Sequence, residues 1–366
     1  MADSLLHVLF AFIGALVLSL SLTPLARRIA LRTNLVDRPG DRKKHLMATP
    51  LLGGVAVYLA FAFTIIAGLL FWKGLPEGTI ADTPLDWQSL GFMVIGGGFL
   101  MALTGLLDDI LELSPRTKLI LQSLSAVAVG VYFVVKGAQL NLFLSGGPLA
   151  WLAAPITIFW LVGITNSVNL LDHADGLAAG ISAIATAFFT VINLLAGNEA
   201  VAFICAALSG ACCGFLPYNF NPASIFMGDC GSNLLGFVLG VTAVLGVYTP
   251  DGSIREIAIF SPLLVLAVPL LDTILVLIYR KRHRVPLLSG DRNHLAHRLM
   301  RIGLSHREAI ILLYAIGLLM GFLALLLPTL RLYQAMLVFA HAAGFSVIIA
   351  LFISNGEKRN RTDDDK

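Results

Sequence analysis

Residues 177–197 read LAAGISAIATAFFTVINLLAG, and no charged side chain interrupts them. A helix needs about 20 apolar residues to cross a bilayer, so this stretch has spanning length. Residues 200–228 follow almost at once and also lack Asp, Glu, Lys and Arg. A soluble core would need helices with polar outer faces, so the pair predicts two consecutive membrane helices.

The rest of the chain extends this pattern. Of its 366 residues, 57% are hydrophobic and 13% are charged, and the mean hydropathy is +0.86. Soluble chains carry about 25% charged residues. We therefore predict an all-α integral membrane protein with about 11 (10–11) transmembrane helices. The predicted spans lie near 5–23, 51–72, 89–107, 117–135, 149–165, 177–197, 200–217, 232–249, 257–279, 309–328 and 332–354.

The sequence predicts one polytopic membrane domain over residues 1–354. The polar residues 355–366 have the composition of a disordered cytoplasmic tail. The basic residues predict the orientation, because Lys and Arg are enriched in cytoplasmic loops. With the N-terminus outside, 21 of the 25 Lys and Arg fall on the inner side and four on the outer side. Since the basic residues flank membrane ends, we expect no nucleic-acid partner.

Acidic residues gather at the predicted inner ends of three spans, where a carboxylate at membrane depth is a functional candidate. The first group is Asp108-Asp109, which closes the third span. Adjacent acids at the C-terminal end of a helix are unfavourable to the helix dipole, so capping of that helix explains them poorly. The sequence therefore predicts chemistry at this membrane face.

The second group is Asn169-Leu-Leu-Asp172-His-Ala-Asp175-Gly176, between two spans. Three oxygen-bearing side chains spaced at three residues share one face of a helix. An isolated Asp-x-x-Asp is common, but the longer motif between two spans is more specific. It predicts a functional site between these two spans.

The third group runs from Asn219 through Phe226-Met-Gly-Asp229-Cys-Gly-Ser232, immediately before a span. Small residues at a helix N-terminus let a phosphate approach backbone N–H groups, and Asp229 could bring Mg²⁺ to the same place. Asp229 could equally be an ordinary N-cap. Phe226 could stack on a base or simply contact lipid.

Two basic segments complete the set. His294, His297 and Arg298 could bind phosphate, and zinc is less favoured because the loop offers few other ligands. Lys44 and His45, before Thr49-Pro50, suit a diphosphate or an anionic lipid headgroup. A solvated basic face is the competing explanation for the histidine loop, and topology anchoring explains the charges around Lys44 about as well.

Together these motifs resemble the polyprenyl-phosphate N-acetylhexosamine-1-phosphate transferase superfamily, over about residues 40–300. The loop Asp291-Arg-Asn-His294-x-x-His297-Arg-Leu is most similar to that of bacterial undecaprenyl-phosphate N-acetylglucosamine-1-phosphate transferases (glycosyltransferase family 4). Ala296 departs from the family's usual His-x-His-His. This departure bears on which sugar is used more than on the reaction.

The resemblance implies the following roles. Asp108, Asp109 and Asp172 would be catalytic, and Asp229 and Asp109 would bind Mg²⁺, with Mn²⁺ as a substitute. The implied substrate-binding residues are Lys44, His45, Asn169, Asp175, Asn219, Phe226, His294, His297 and Arg298.

The implied reaction transfers a sugar-1-phosphate, N-acetylglucosamine-1-phosphate first, from a UDP-sugar to undecaprenyl phosphate and releases UMP. The setting would be the bacterial inner membrane, with the site on the cytoplasmic side, lipid around the protein and a homodimer compatible with the family. A phospho-N-acetylmuramoyl-pentapeptide transferase is the alternative within the superfamily. A CDP-alcohol phosphatidyltransferase is disfavoured, because Gly180 stands where its motif needs Arg. A secondary transporter would place its acids nearer the bilayer midplane.

Overall fold

A computed structural model of the protein describes residues 2–37, 48–72, 86–135, 152–246, 260–286 and 293–364. Within these ranges nine helices are long and apolar enough to cross a membrane. The prediction of an all-α integral membrane protein is confirmed, and the chain is a multi-pass membrane protein. The chain divides into two compact units, residues 1–254 and 255–366.

The first unit contains helices α1–α8 and a short two-stranded ribbon. In chain order these are α1 (Ala2–Arg32), β1 (Val36–Asp37), β2 (Thr49–Pro50), α2 (Gly53–Phe71), α3 (Trp87–Leu111), α4 (Pro115–Val135), α5 (Ala153–Leu171), α6 (Leu177–Leu195), α7 (Glu199–Asn219) and α8 (Gly228–Leu245). The strands pair antiparallel, with Val36 opposite Pro50.

Helix α8 forms the centre of the first unit. Of an apolar 18-residue stretch of α8, 94% is buried, against 22% of the corresponding stretch of α1. Glycines along α8 let neighbouring backbones approach it closely: a Cβ on Gly236 would lie 2.5 Å from the Cα of Thr165 on α5. The central position explains why the start of α8 can meet side chains from several other helices.

Local sequence signals set the helix ends. Asp86 accepts a hydrogen bond from the Ser89 backbone N–H and caps α3. Helix α3 stops at Glu112, whose φ of 49° is left-handed, and α4 restarts at Pro115, a residue suited to a first helical turn. The reversal between α5 and α6 uses Gly176 at φ 79°.

The second unit contains α9 (Ser261–Val265), α10 (Ala267–His283), α11 (Leu295–Arg301), α12 (His306–Leu326), a 3₁₀ turn (Leu327–Thr329) and α13 (Leu332–Asp364). The sequence predicts one span over 257–279, whereas the structure breaks this helix at Leu266. Pro269 supplies the reason, because it has no N–H to donate to the carbonyl of Val265 four residues earlier.

Candidate active site

Four helix ends of the first unit meet at one place. Helices α3 and α5 end there, and α4 and α8 begin there. The polar residues that flank four apolar segments therefore meet in one cluster. The first, second and third sequence motifs all contribute to it, through Asp108-Asp109, Asn169 and Asp229.

Lys118, on the first turns of α4, lies at the centre of the cluster. Its Nζ is 2.9 Å from Asp108 Oδ2 and forms a second, closer ion pair with Asp229 Oδ2. It also donates to Asn169 Oδ1 at 3.0 Å. The Lys118 side chain is only 14% exposed. A cation with three oxygen partners from three helices is thus held in a largely buried position.

Asn169 and Ser232 hold Asp229 from the other side. Asn169 Nδ2 donates to Asp229 Oδ1 at 2.7 Å and to Ser232 Oγ at 2.8 Å. Asp229 therefore does not cap its own helix through its side chain, and N-capping is excluded as the explanation for this residue. Its carboxylate instead faces the cluster.

Asp109 supplies the cap that α8 needs. Its two carboxylate oxygens accept the backbone N–H groups of Asp229 at 2.9 Å and of Cys230 at 3.0 Å. A carboxylate is favourable at this end of a helix, where unpaired N–H groups create positive potential. Asp109 is thus unfavourably placed for its own helix α3 but favourably placed for α8.

Backbones come unusually close around this cap. A Cβ on Gly105 would lie 2.0 Å from Asp229 O, and a Cβ on Gly54 would lie 2.1 Å from Gly231 N. Gly228 has φ 72°, and a Cβ there would lie 2.6 Å from Asp109 Oδ2. These positions require glycine, which lets α2 and α3 press against the first turn of α8.

Asp172 follows α5 directly and lies outside the membrane-spanning helices. Its partial burial, together with the negative charges of Asp229 and Asp109, raises the pKa of its carboxyl well above the usual range, and Lys118 only partly opposes this. Asp172 therefore lies within electrostatic range of the cluster. A carboxyl with a raised pKa holds a proton more tightly than an ordinary one and suits proton transfer.

Asp175 and Asn219 hold the loop that carries Phe226. Asp175 Oδ2 accepts from Asn221 Nδ2 at 3.0 Å and from the Ala223 N–H at 3.1 Å. Asn219 accepts from the Gly176 N–H and donates to the carbonyl of Ile225, each at 3.0 Å. These two residues therefore join the 172–176 turn to the loop before α8.

The partly exposed Phe226 is fixed through its backbone. Its N–H donates to Pro50 O at 2.8 Å, and its carbonyl accepts from the Gly53 N–H at 3.0 Å. The Thr49–Pro50 strand, which follows the basic segment in the sequence, is thereby tied to the loop. Lys44 and His45 themselves lie outside the described residues.

The second unit carries the predicted histidine motif. His294 Nδ1 lies 2.8 Å from Asp272 Oδ2, and the Leu295 N–H donates to Asp272 Oδ1 at 2.6 Å. Asp272 is fully buried in α10. Its carboxylate fixes His294 and the start of α11, and His297 and Arg298 follow on that helix, both half-buried.

The structure thus brings Asp108, Asp109, Asn169, Asp172 and Asp229 together in the first unit. The sequence alone identified Lys118 only as a topology-determining residue. No sequence signal separates it from other basic residues at span ends: it is the second residue of the predicted span 117–135, where a topology-determining lysine is also expected. The hydrogen bond from Asn169 to Ser232 was not predicted either, because the sequence indicates Ser232 only as part of the third motif.

The oxygen atoms around Lys118 also fit a divalent metal ion. Mg²⁺ takes oxygen ligands and is usually held by one or two carboxylates together with substrate phosphates. Asp108 and Asp229 provide two carboxylates at one point, and the ammonium already there shows that the position accommodates positive charge. Asp109 has both oxygens engaged by N–H groups, although a carboxylate oxygen retains a further lone pair.

Fold and site together define a multi-pass membrane enzyme with an anionic cluster bridged by one lysine. Residues 91–247 match the profile of glycosyl transferase family 4. The chain is 33% identical to a probable undecaprenyl-phosphate N-acetylglucosaminyl 1-phosphate transferase of Bacillus subtilis (strain 168), covering 95% of this chain and 92% of the relative.

Two further relatives are also named as transferases of N-acetylglucosamine phosphate to a polyprenyl phosphate. A decaprenyl-phosphate N-acetylglucosaminephosphotransferase of Mycolicibacterium smegmatis is 36% identical, over 79% of this chain and 74% of the relative. An undecaprenyl-phosphate alpha-N-acetylglucosaminyl 1-phosphate transferase of Escherichia coli (strain K12) is 30% identical, over 79% and 75%. The chain belongs to glycosyl transferase family 4.

Proposed function

We propose that this enzyme transfers N-acetylglucosamine-1-phosphate from its UDP-sugar to undecaprenyl phosphate, giving the lipid-diphosphate sugar and UMP. The names of three relatives, from three genera, support this sugar, and two of them name undecaprenyl phosphate as the carrier, whereas the third names decaprenyl phosphate. The reaction would be the first membrane step of a cell-envelope glycan pathway. Its setting would be the bacterial inner membrane, with the site on the cytoplasmic face.

One observation carries the proposal: oxygens of Asp108, Asn169 and Asp229 surround Lys118 where the ends of four helices meet. Two phosphate-bearing reactants repel each other, so positioning and charge neutralisation dominate catalysis of phosphoryl transfer. A buried lysine held by carboxylates is a positive charge already oriented for a phosphate. In the proposed orientation, the site would lie where a lipid headgroup and a soluble nucleotide can both reach it.

In the proposed step, an oxygen of the lipid phosphate attacks the β-phosphorus of the UDP-sugar. A new P–O bond forms there, the bond from the β-phosphorus to the bridging oxygen breaks, and UMP leaves with that oxygen. Asp172 would accept the proton of the lipid phosphate, a role that its raised pKa favours. Lys118 would stabilise charge on the transferring phosphoryl group.

Asp229, with Asp108 or Asp109, would hold Mg²⁺, for which Mn²⁺ could substitute. The bound ion would neutralise charge on the diphosphate. Asp109 would keep α8 capped and so hold Asp229 in place. The backbone N–H groups of Asp229 and Cys230, which donate to Asp109, belong to the first turn of α8, so this cap also orients that turn.

The remaining predicted residues would bind the substrates. Asn219 and Asp175 would shape the uridine pocket through the loop they fix, and Phe226 would stack on the base. His294, His297 and Arg298 would contact the sugar or its phosphate, and Lys44 and His45 would bind an anionic group. Lipid surrounds the protein in this proposal, and a homodimer is compatible with it.

The test is an assay of purified protein with undecaprenyl phosphate, Mg²⁺ and a panel of UDP-sugars, with lipid products identified by mass. We expect one UDP-N-acetylhexosamine, N-acetylglucosamine first, to give a lipid-diphosphate sugar and stoichiometric UMP. The Asp229→Asn variant should lose at least about 10²-fold in turnover, as expected when a charged group acting in the transition state is removed, while eluting as folded protein.

Two outcomes would overturn the proposal. Wild-type turnover in Asp229→Asn would remove the metal-binding and catalytic role from this cluster. Uptake of a solute into proteoliposomes, without release of UMP from any UDP-sugar, would identify a transporter instead. Omitting the divalent ion provides the matched control, because it should reduce wild-type turnover to the level of the variant.

A further inference from the structure

A second layer of polar side chains lies one helical turn beyond the lysine cluster. Gln122 follows Lys118 by four residues on α4, Asn166 precedes Asn169 by three on α5, and Asn233 follows Asp229 by four on α8. Residues three or four apart share a helix face. Because α5 ends at the cluster while α4 and α8 begin there, all three amides lie on its deeper side.

The three amides form a continuous hydrogen-bonded chain. Asn166 Nδ2 donates to Gln122 Oε1 at 2.7 Å, and Gln122 Nε2 donates to Asn233 Oδ1 at 3.1 Å. Asn166 Nδ2 is also 2.8 Å from the carbonyl of Val162 on its own helix. Gln122 and Asn233 are fully buried. This amide triad therefore connects α4, α5 and α8 through side chains alone.

Stability alone is a poor explanation for the triad. Asn233 Nδ2 is buried and has no hydrogen-bond partner among the described residues. A buried polar network with an unmade hydrogen bond is less favourable than well-packed apolar side chains. A hydrogen-bonded amide differs from an apolar contact in that it forms in only one relative placement of two helices, as buried Asn residues do in coiled coils.

We propose that Gln122, Asn166 and Asn233 are positioning residues that fix the rotation and axial register of α4, α5 and α8. These are the helices that deliver Lys118, Asn169 and Asp229 to one point. Successive residues of a helix are rotated by about 100°, so the direction of each side chain depends on how the helix is rotated about its axis. A change in that rotation would carry Lys118 Nζ away from its partners. The inference rests on the proposed function for its kinetic readout, but its geometric claim is independent of the reaction.

The test variant is Gln122→Met, which keeps the length of the side chain and removes both hydrogen bonds. We expect its kcat to fall by about 10- to 100-fold, the usual effect of residues that orient a site from outside it. The KM for the UDP-sugar should stay within about twofold, because the loss is of transition-state alignment. Asn233→Leu should act similarly, and the double variant should be no worse than either, since the triad acts as one unit.

Asn193→Leu is the matched control. Asn193 is another fully buried amide, on α6, where it donates to the carbonyl of Phe189. It lies 16 residues into a helix that starts beside the site, a distance of roughly 24 Å. This variant should lower the thermal stability while leaving kcat per folded molecule unchanged.

A readout that needs no turnover separates this inference from the proposed function. The modification rate of Lys118 by an amine-reactive reagent, followed by mass spectrometry, should rise by about tenfold in Gln122→Met and not in Asn193→Leu. If the wild type is inactive with every UDP-sugar but Lys118 is exposed by the variant, only the proposed function fails. Wild-type kcat and Lys118 reactivity in Gln122→Met, or fully additive effects in the double variant, would overturn the inference.

Discussion

Asp172 illustrates how a single residue's environment can set its chemistry. Lys118 is enclosed by Asp108, Asn169 and Asp229, whereas Asp172 stands just after α5 and is affected mainly by burial and like charges. Burial and neighbouring carboxylates both disfavour the ionised form, so the pKa rises. In the proposed reaction, Asp172 would therefore be the proton acceptor of the cluster.

The pH dependence of kcat/KM tests that role. Below its raised pKa, Asp172 is neutral and cannot accept a proton. We therefore expect kcat/KM to increase with pH, and this rising limb should lie at a higher pH than the titration of an ordinary carboxyl. Asp172→Asn should lower the rate by about 10²- to 10⁴-fold and abolish this limb. Asp175→Asn is the comparison: it should keep the limb but move it to lower pH, because the negative charge of Asp175 contributes to the raised pKa of Asp172. An unchanged limb in Asp172→Asn would assign the proton transfer elsewhere.

Lys118 also shows why the sequence alone did not reveal the centre of the site. Positive residues at helix ends are expected in any membrane protein, because they set orientation. A lysine that anchors topology and a lysine that binds three oxygens have the same sequence context. The carboxylates were easier to identify, since acids at membrane depth have no such common explanation.

Among the elements, the length and apolar composition of the segments predicted the helices well, but the contacts between helix ends were harder to foresee. The Asp108-Asp109 pair was expected at a helix end, yet nothing in α3 indicates that Asp109 caps α8, 120 residues further along the chain. The break at Leu266 had a local signal in Pro269, but the segment 257–279 is otherwise mostly apolar and was therefore predicted as one span. Tertiary pairing of helix ends is not encoded in periodicity.

The contact between α3 and α8 gives a prediction at the scale of elements. Gly105→Ala would place a methyl group 2.0 Å from Asp229 O, where only backbone movement can make room. Overpacking of this kind costs about 1–3 kcal/mol. It should also separate Asp109 from the start of α8. We therefore expect a lower melting temperature together with a loss of turnover.

Gly96→Ala on the same helix is the control for that variant. A Cβ at Gly96 has no heavy atom within 4 Å among the described residues. Alanine favours a helix over glycine by about 1 kcal/mol, so this variant should retain activity and be at least as stable as the wild type. If Gly105→Ala behaved like Gly96→Ala in both measurements, the close approach of α3 to α8 would not be needed for the site.

For the molecule as a whole, orientation in the membrane determines which reactants can enter the site. The distribution of basic residues, 21 against four, predicts that the site faces the cytoplasm. Arg116 is exposed at the start of α4, two residues from Lys118, and Thr329 is exposed in the turn between α12 and α13. In the predicted topology these two positions lie on opposite sides of the membrane.

Single cysteines at Arg116 and Thr329 test this orientation directly. A membrane-impermeant maleimide should label Thr329→Cys in intact cells and Arg116→Cys only after permeabilisation. The wild type measures the background, which should be low because Cys205, Cys212 and Cys230 are buried and Cys213 is half-buried. Labelling of Arg116→Cys in intact cells would place the lysine cluster outside. A UDP-sugar made in the cytoplasm could not then reach it, and the proposed reaction would have to be abandoned even if the geometry of the cluster were correct.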